Sequence, residues 1–123
     1  MNSNMKGKKG ELEVVRLCCA EGYETRRSAQ YCGNSPEGTA DVVGLPGVHI
    51  EVKRVEHLNI DDALAQAVRD SGKTTGNIPV VFHRKNNTKW KVTMDAHEWF
   101  RLYREWEAGR NEKCRTLRGL NVR

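Results

Sequence analysis

The sequence predicts an α/β fold, with a small mixed central β-sheet flanked by helices. Three observations predict it. Residues 9–21, 59–71 and 95–108 place apolar side chains mostly at three- and four-residue steps, the spacing of helices that bury one face. Residues 40–44, 48–53 and 77–83 are short apolar runs with Gly, Pro or Asn beside them, as strands have. And 123 residues suffice for one modest core but not for two.

Composition narrows the class. There are 21 Lys and Arg against 16 Asp and Glu, a net charge of +5, which favours a polyanionic partner. No apolar run approaches the ~20 residues a membrane span needs, and there is no signal-peptide core, so the expected location is cytoplasmic. Cys18, Cys19, Cys32 and Cys114 form no CxxC pair, which argues against a zinc ribbon or a redox motif. They read as reduced thiols, some of them filling core. No internal repeat is present, and GKTTGN at 72–77 lacks the spacing of a phosphate-binding loop.

The elements follow in order. Residues 1–9 carry Lys6, Lys8 and Lys9 and read as a flexible basic arm. A first helix over 9–21 stops at Gly22, a residue suited to the position just past a helix end. Val14, Val15 and Cys18 make its apolar face, with Leu12 and Leu17 flanking. Glu11 shares that face, an unusual place for an acid unless it serves a site or answers the helix dipole. Glu13 points elsewhere and reads as a solvated charge. Residues 22–28, including Arg26, Arg27 and Ser28, form a turn and a first strand, and 29–38 a polar loop.

The hairpin at 38–53 follows. Leu45, Pro46 and Gly47 supply a three-residue loop, and that register sets Asp41 directly opposite Glu51. Strand alternation puts Ile50 and Val52 on one face, and Glu51 and Lys53 on the other. Two carboxylates and an ammonium then converge on one patch. Neighbouring carboxylates repel unless one protonates or a cation sits between them. Hard oxygen ligands of this kind suit Mg²⁺ or Mn²⁺, and a nearby lysine can orient water or stabilise developing negative charge. His49 shares the face but sits beside the turn, and reads as a partly exposed strand histidine. His57, His83 and His97 are isolated, so no histidine ligand set emerges.

Beyond Lys53, Asn59 to Asp62 offer a cap for a second helix closed by Gly72, with Ala63, Leu64, Ala67 and Val68 as its packing face. Gln66 reads first as an exposed helix glutamine and second as an accessory polar group near a site. Residues 77–83 form a buried strand, 84–88 a turn and 89–94 a further strand. A third helix over 95–108 carries Ala96, Trp99, Phe100, Tyr103 and Trp106. That stripe reads as packing rather than base stacking, with part of it available for a dimer interface. Residues 109–123 form a basic tail, with Arg110, Lys113, Arg115, Arg118 and Arg123 against Glu112 alone. The expected organisation is thus one domain over 1–108 and a tail over 109–123.

Asp41 followed by Glu51-Val52-Lys53 resembles the motif of the PD-(D/E)XK nuclease superfamily. The proline usual before the aspartate is replaced by Ala40, and that proline is not a chemical group in the reaction. The stretch KGKKGELEVVRLCCAEGYETRRS, then ADVVG, then IEVK, is similar to the archaeal-type Holliday-junction resolvases over about the first half of the chain. Lys6-Gly7 precedes Glu11 by their spacing, and Gly22-Tyr23 and Arg27-Ser28 fall where their pattern has them. The resemblance implies a restriction-endonuclease-like fold and metal-dependent endonuclease activity, with four-way DNA junctions as substrate and a homodimer as the working form. It implies that Glu11, Asp41 and Glu51 are the acidic metal-site residues, with Val52 contributing its backbone carbonyl, and that Lys53 is the catalytic lysine. Lys6, Lys8, Lys9, Arg26, Arg27, Ser28 and Arg54 would face the DNA. The rival readings are another nuclease of the superfamily acting on duplex, nicked or flap DNA, a DNA-binding module without catalysis, and a basic protein with no nucleic-acid role. A phage or mobile-element origin suits a chain this short and basic, but composition does not decide it.

Overall fold

A computed structural model describes residues 3–28, 40–72 and 76–122, the side chains of 3–4 and 117–122 excepted. The polar loop expected at 29–38 lies outside the described residues. In order, the elements are α1 (Ser3–Ala20), β1 (Arg26–Arg27), β2 (Val42–Val43), β3 (Val48–Arg54), α2 (Ile60–Ser71), β4 (Ile78–Arg84), β5 (Lys91–Thr93) and α3 (Ala96–Val122).

The five strands form one mixed sheet in the order β1-β2-β3-β4-β5. β3 and β4 run parallel, and every other pair is antiparallel. A parallel pair needs a crossover, and α2 supplies it. β3 and β4 lie inside the sheet, and their first halves are almost wholly buried. The alternation read from sequence holds. Val42, Ile50, Val52, Ile78 and Val80 turn to one face and pack with Val14 and Cys18 of α1. On the other face Val81 packs with Ala63 and Ala67 of α2. Val68, expected in the α2 packing face, is exposed.

Local signals explain the ends of the elements. Gly22 takes a positive φ of 97°. The N–H groups of Gly22 and Tyr23 donate to the carbonyls of Cys19 and Cys18, at 3.0 and 3.1 Å. Two such bonds past a left-handed residue satisfy carbonyls that the last helical turn leaves unpaired. The Asn59 side chain accepts the N–H of Asp62 at 3.1 Å, capping α2 as its residue type predicts.

Two expectations change. α1 begins at Ser3, so the lysines at 6, 8 and 9 stand on helix and not on a flexible arm. α3 continues through the basic segment after 108 to Val122, and it barely touches the sheet or the other helices. Trp99, Phe100, Tyr103 and Trp106 are all exposed. The aromatic stripe therefore does not pack into this chain's core. A helical period reports that one face is apolar and not what that face meets.

Candidate functional site

The hairpin register is the one the loop length predicts. Val42 pairs with Ile50, and Asp41, just before it, has its carboxyl beside that of Glu51. Asp41 lies just before β2, and its backbone N–H donates to the Ile50 carbonyl at 2.8 Å. Its Oδ2 accepts the Val52 N–H, also at 2.8 Å. The aspartate is thus fixed at both its backbone and its carboxylate. Ser28 reinforces the corner: its N–H donates to the Asp41 carbonyl at 3.2 Å, and its hydroxyl to the Ala40 carbonyl.

Glu51, on the face of β3 opposite the aliphatic core, is 2% exposed. Burial pushes its carboxyl up to about 7; the hydrogen bond from His49 opposes this, while the charge of Asp41 and a side-chain hydrogen bond with it raise the value further. Glu11 of α1 is raised as well, first by burial and then by Asp41, with Arg27 pulling the other way. Arg27 Nε donates to Glu11 Oε1 at 3.1 Å. Asp41 therefore acts on both glutamates, and three acids from three elements share one electrostatic neighbourhood.

Lys53 is half-buried on β3, two residues past Glu51. It lines a cavity of ≈ 540 Å³ with Asn59, Asp62, Gln66 and Arg69. Gln66 is also half-buried and shares that cavity, so it is not the exposed helix glutamine its sequence context suggests. Lys8, Lys9 and Arg26 are exposed, and Lys6 and Arg27 partly so.

Three further residues depart from the sequence reading. His49 is 1% exposed, and its Nε2 lies 3.0 Å from Glu51 Oε1. It is a buried partner of the site and not a partly exposed strand histidine. Glu13 is no solvated charge. It lies 2.9 Å from Arg54 Nε and 2.5 Å from Arg84, tying α1 to β3 and β4. Arg54, expected to face phosphate, has 11% of its side chain exposed and is committed to Glu13. Sequence reasoning missed Asp70 of α2. It completes a group with His49 and Glu51 in which one potential ligand atom from each lies within 4.8 Å of the others. No local signal marks Asp70; only the crossover of α2 over β3 brings it there.

The donor set fits a hard divalent cation. Carboxylate oxygens dominate it, and without a cation Glu51 retains its proton to about neutral pH. A cation beside Asp41 and Glu51 removes the repulsion that raises both glutamates.

No protein-family model matches this chain, and no curated protein matches it. Among solved structures it is similar to that of Hjc, a Holliday junction resolvase from the archaeal hyperthermophile Archaeoglobus fulgidus. The likeness covers 72% of this chain and 76% of that one, with a TM-score of 0.54 and 23% identity. With its mixed five-stranded sheet and flanking helices, this chain has the restriction-endonuclease-like α/β fold that it shares with that resolvase.

Proposed function

We propose that this protein is a divalent-metal-dependent DNA endonuclease that hydrolyses phosphodiester bonds, with the four-way junction as its substrate. The observation that carries the reading is the convergence of Glu11, Asp41 and Glu51 beside the strand that bears Lys53. Asp41 and Glu51 would hold Mg²⁺, with Glu11 beside them and the Val52 carbonyl as a further oxygen; Mn²⁺ suits the same set. Bound there, such an ion would supply positive charge beside a scissile phosphate and lower the pKa of a water. Lys53 orients the attacking water and donates to a phosphate oxygen as negative charge develops. Gln66, across the same cavity, is an accessory donor. Arg27 and Ser28 flank the acids, while Lys6, Lys8, Lys9 and Arg26 offer cations to the DNA backbone.

The fold shared with a Holliday junction resolvase, together with the sequence resemblance, supports the choice of junction. Resolution needs two symmetric cuts, hence two sites related by a two-fold axis and a homodimer. The activity places the protein in DNA recombination and repair inside the cell. No described helix is long and apolar enough to cross a membrane.

The test is cleavage of labelled four-way junction, duplex, nicked, flap and single-stranded DNA, with Mg²⁺ or with EDTA. Paired symmetric cuts in the junction are expected, dependent on metal and reduced by at least ~100-fold in Lys53→Ala. Metal-dependent cutting of the other substrates alone would keep the nuclease and discard the junction. Binding without cutting under any metal would leave a DNA-binding module.

A further inference from the structure

α3 presents an aromatic ladder that nothing among the described residues covers. Trp99 and Tyr103 stack with ring centroids 5.3 Å apart and planes 20° from parallel. Tyr103 and Trp106 continue the ladder at 5.5 Å, and Phe100 meets Trp99 edge-on at 5.0 Å. Trp99, Leu102, Tyr103 and Trp106 line a shallow apolar hollow of ≈ 350 Å³. Trp99 is 48% and Trp106 55% exposed. Contiguous apolar surface of this kind marks an interaction site.

We propose that α3 is where two copies of this chain pair. The helices run antiparallel about a two-fold axis between Leu102 and Tyr103, so that Trp99 of each copy lies over Trp106 of the other. The ladder is self-complementary about that point. Trp99 and Trp106 are one heptad apart with Leu102 and Tyr103 between them, the spacing of a helix–helix seam. A two-fold interface needs this property, because the same patch must serve both partners. The area is adequate. About half the surface of Trp99, Tyr103 and Trp106, at roughly 200 Å² each, is roughly 300 Å² per copy. Twice that is roughly 600 Å², and Leu102, with the residues flanking the ladder, brings it toward the ~1,000 Å² of a specific interface.

The charge around the ladder favours a copy of the chain over nucleic acid. Glu98, Glu105 and Glu107 flank it against Arg101 and Arg104, and Arg101 is paired with Glu98 at 2.7 Å. The cations of α3 concentrate beyond the ladder, at Arg110, Lys113 and Arg115, and Arg110 sits 4.9 Å above the Trp106 ring. A phosphate backbone laid along the ladder would meet acids, whereas an antiparallel helix meets matching rings. The pairing stands on α3 alone; that it brings two cleaving sites together rests on the nuclease reading above.

Sedimentation equilibrium of the full chain through the micromolar range tests it. The wild type should be a dimer, and Trp99→Glu with Trp106→Glu a monomer with unchanged circular dichroism, since neither ring packs in the core. Leu102→Cys, in a chain whose Cys19, Cys32 and Cys114 are serine, should form a covalent dimer on mild oxidation. A monomeric wild type, a dimeric double variant, or no crosslink through Leu102→Cys would each overturn the arrangement. A monomer whose tryptophan fluorescence is quenched by single-stranded DNA would give the ladder to bases instead. Cleavage separates the two readings: a dimer through α3 that cuts no DNA keeps the pairing and removes the nuclease.

Discussion

Glu51 has the most to lose from its position. Its carboxyl ordinarily titrates near 4.5 and here near 7, because burial and Asp41 disfavour its charge. Below 4.5 it is protonated folded or unfolded and costs nothing. Between 4.5 and 7 the unfolded chain releases the proton while the folded chain keeps it, so stability falls as pH rises; above 7 the loss is complete. The loss is on the order of 3 kcal/mol. Glu51→Gln should therefore raise the metal-free melting temperature at pH 8 by several degrees, with a smaller gain at pH 5. Mn²⁺ should raise the wild-type melting temperature at pH 8 and leave that of the variant unchanged. Equal melting of the two proteins at pH 8 without metal would show that burial costs Glu51 nothing. His49→Ala leaves Glu51 Oε1 without its buried partner and should cost ~1–3 kcal/mol in urea denaturation.

The elements hold their positions through local chemistry that substitutions can probe. Gly44 has φ 119°, and a Cβ there would run into the Glu24 carbonyl and lie 2.8 Å from Thr25 Cα. This close approach seats β2 against the chain entering β1. Gly44→Ala should cost more than ~2 kcal/mol, combining backbone strain with displacement of Glu24. Asn59→Ala removes one cap from α2 and should cost about 1 kcal/mol. The midpoints of urea unfolding rank the two, and a smaller loss at Gly44 than at Asn59 would mean the hairpin yields easily.

At the scale of the whole molecule, the net charge of +5 does not act as one patch. Arg54 and Arg84 are spent on Glu13 inside the fold, and Arg101 on Glu98 outside it. Lys8 and Lys9 are exposed on α1. In DNA binding followed against salt, Lys9→Ala should lower the slope of log K against log salt by about one. Arg54→Ala should leave the slope alone and cost ~2–3 kcal/mol of stability by leaving Glu13 with one partner fewer. A slope change at Arg54 would return it to the DNA surface.

The sequence by itself determined what repeats or turns locally. Alternation assigned Ile50 and Val52 to the core face and Glu51 and Lys53 to the other. The Leu45-Pro46-Gly47 loop set the register, and Gly22 and Asn59 marked helix ends. Asp41 and Glu51 were legible as a facing pair from that register, and Glu11 as an acid on the apolar face of its helix; only the resemblance to the resolvases joined the three. What those faces meet was decided only by the tertiary structure. Glu13 reads as solvated until β3 and β4 bring Arg54 and Arg84 to it. His49 reads as a strand residue until it is buried against Glu51, with Asp70 arriving from a helix twenty residues on. The ladder of α3 reads as core until the helix leaves the sheet. Periodicity says that a side chain is turned to one face, and only packing across long stretches of chain supplies its partner.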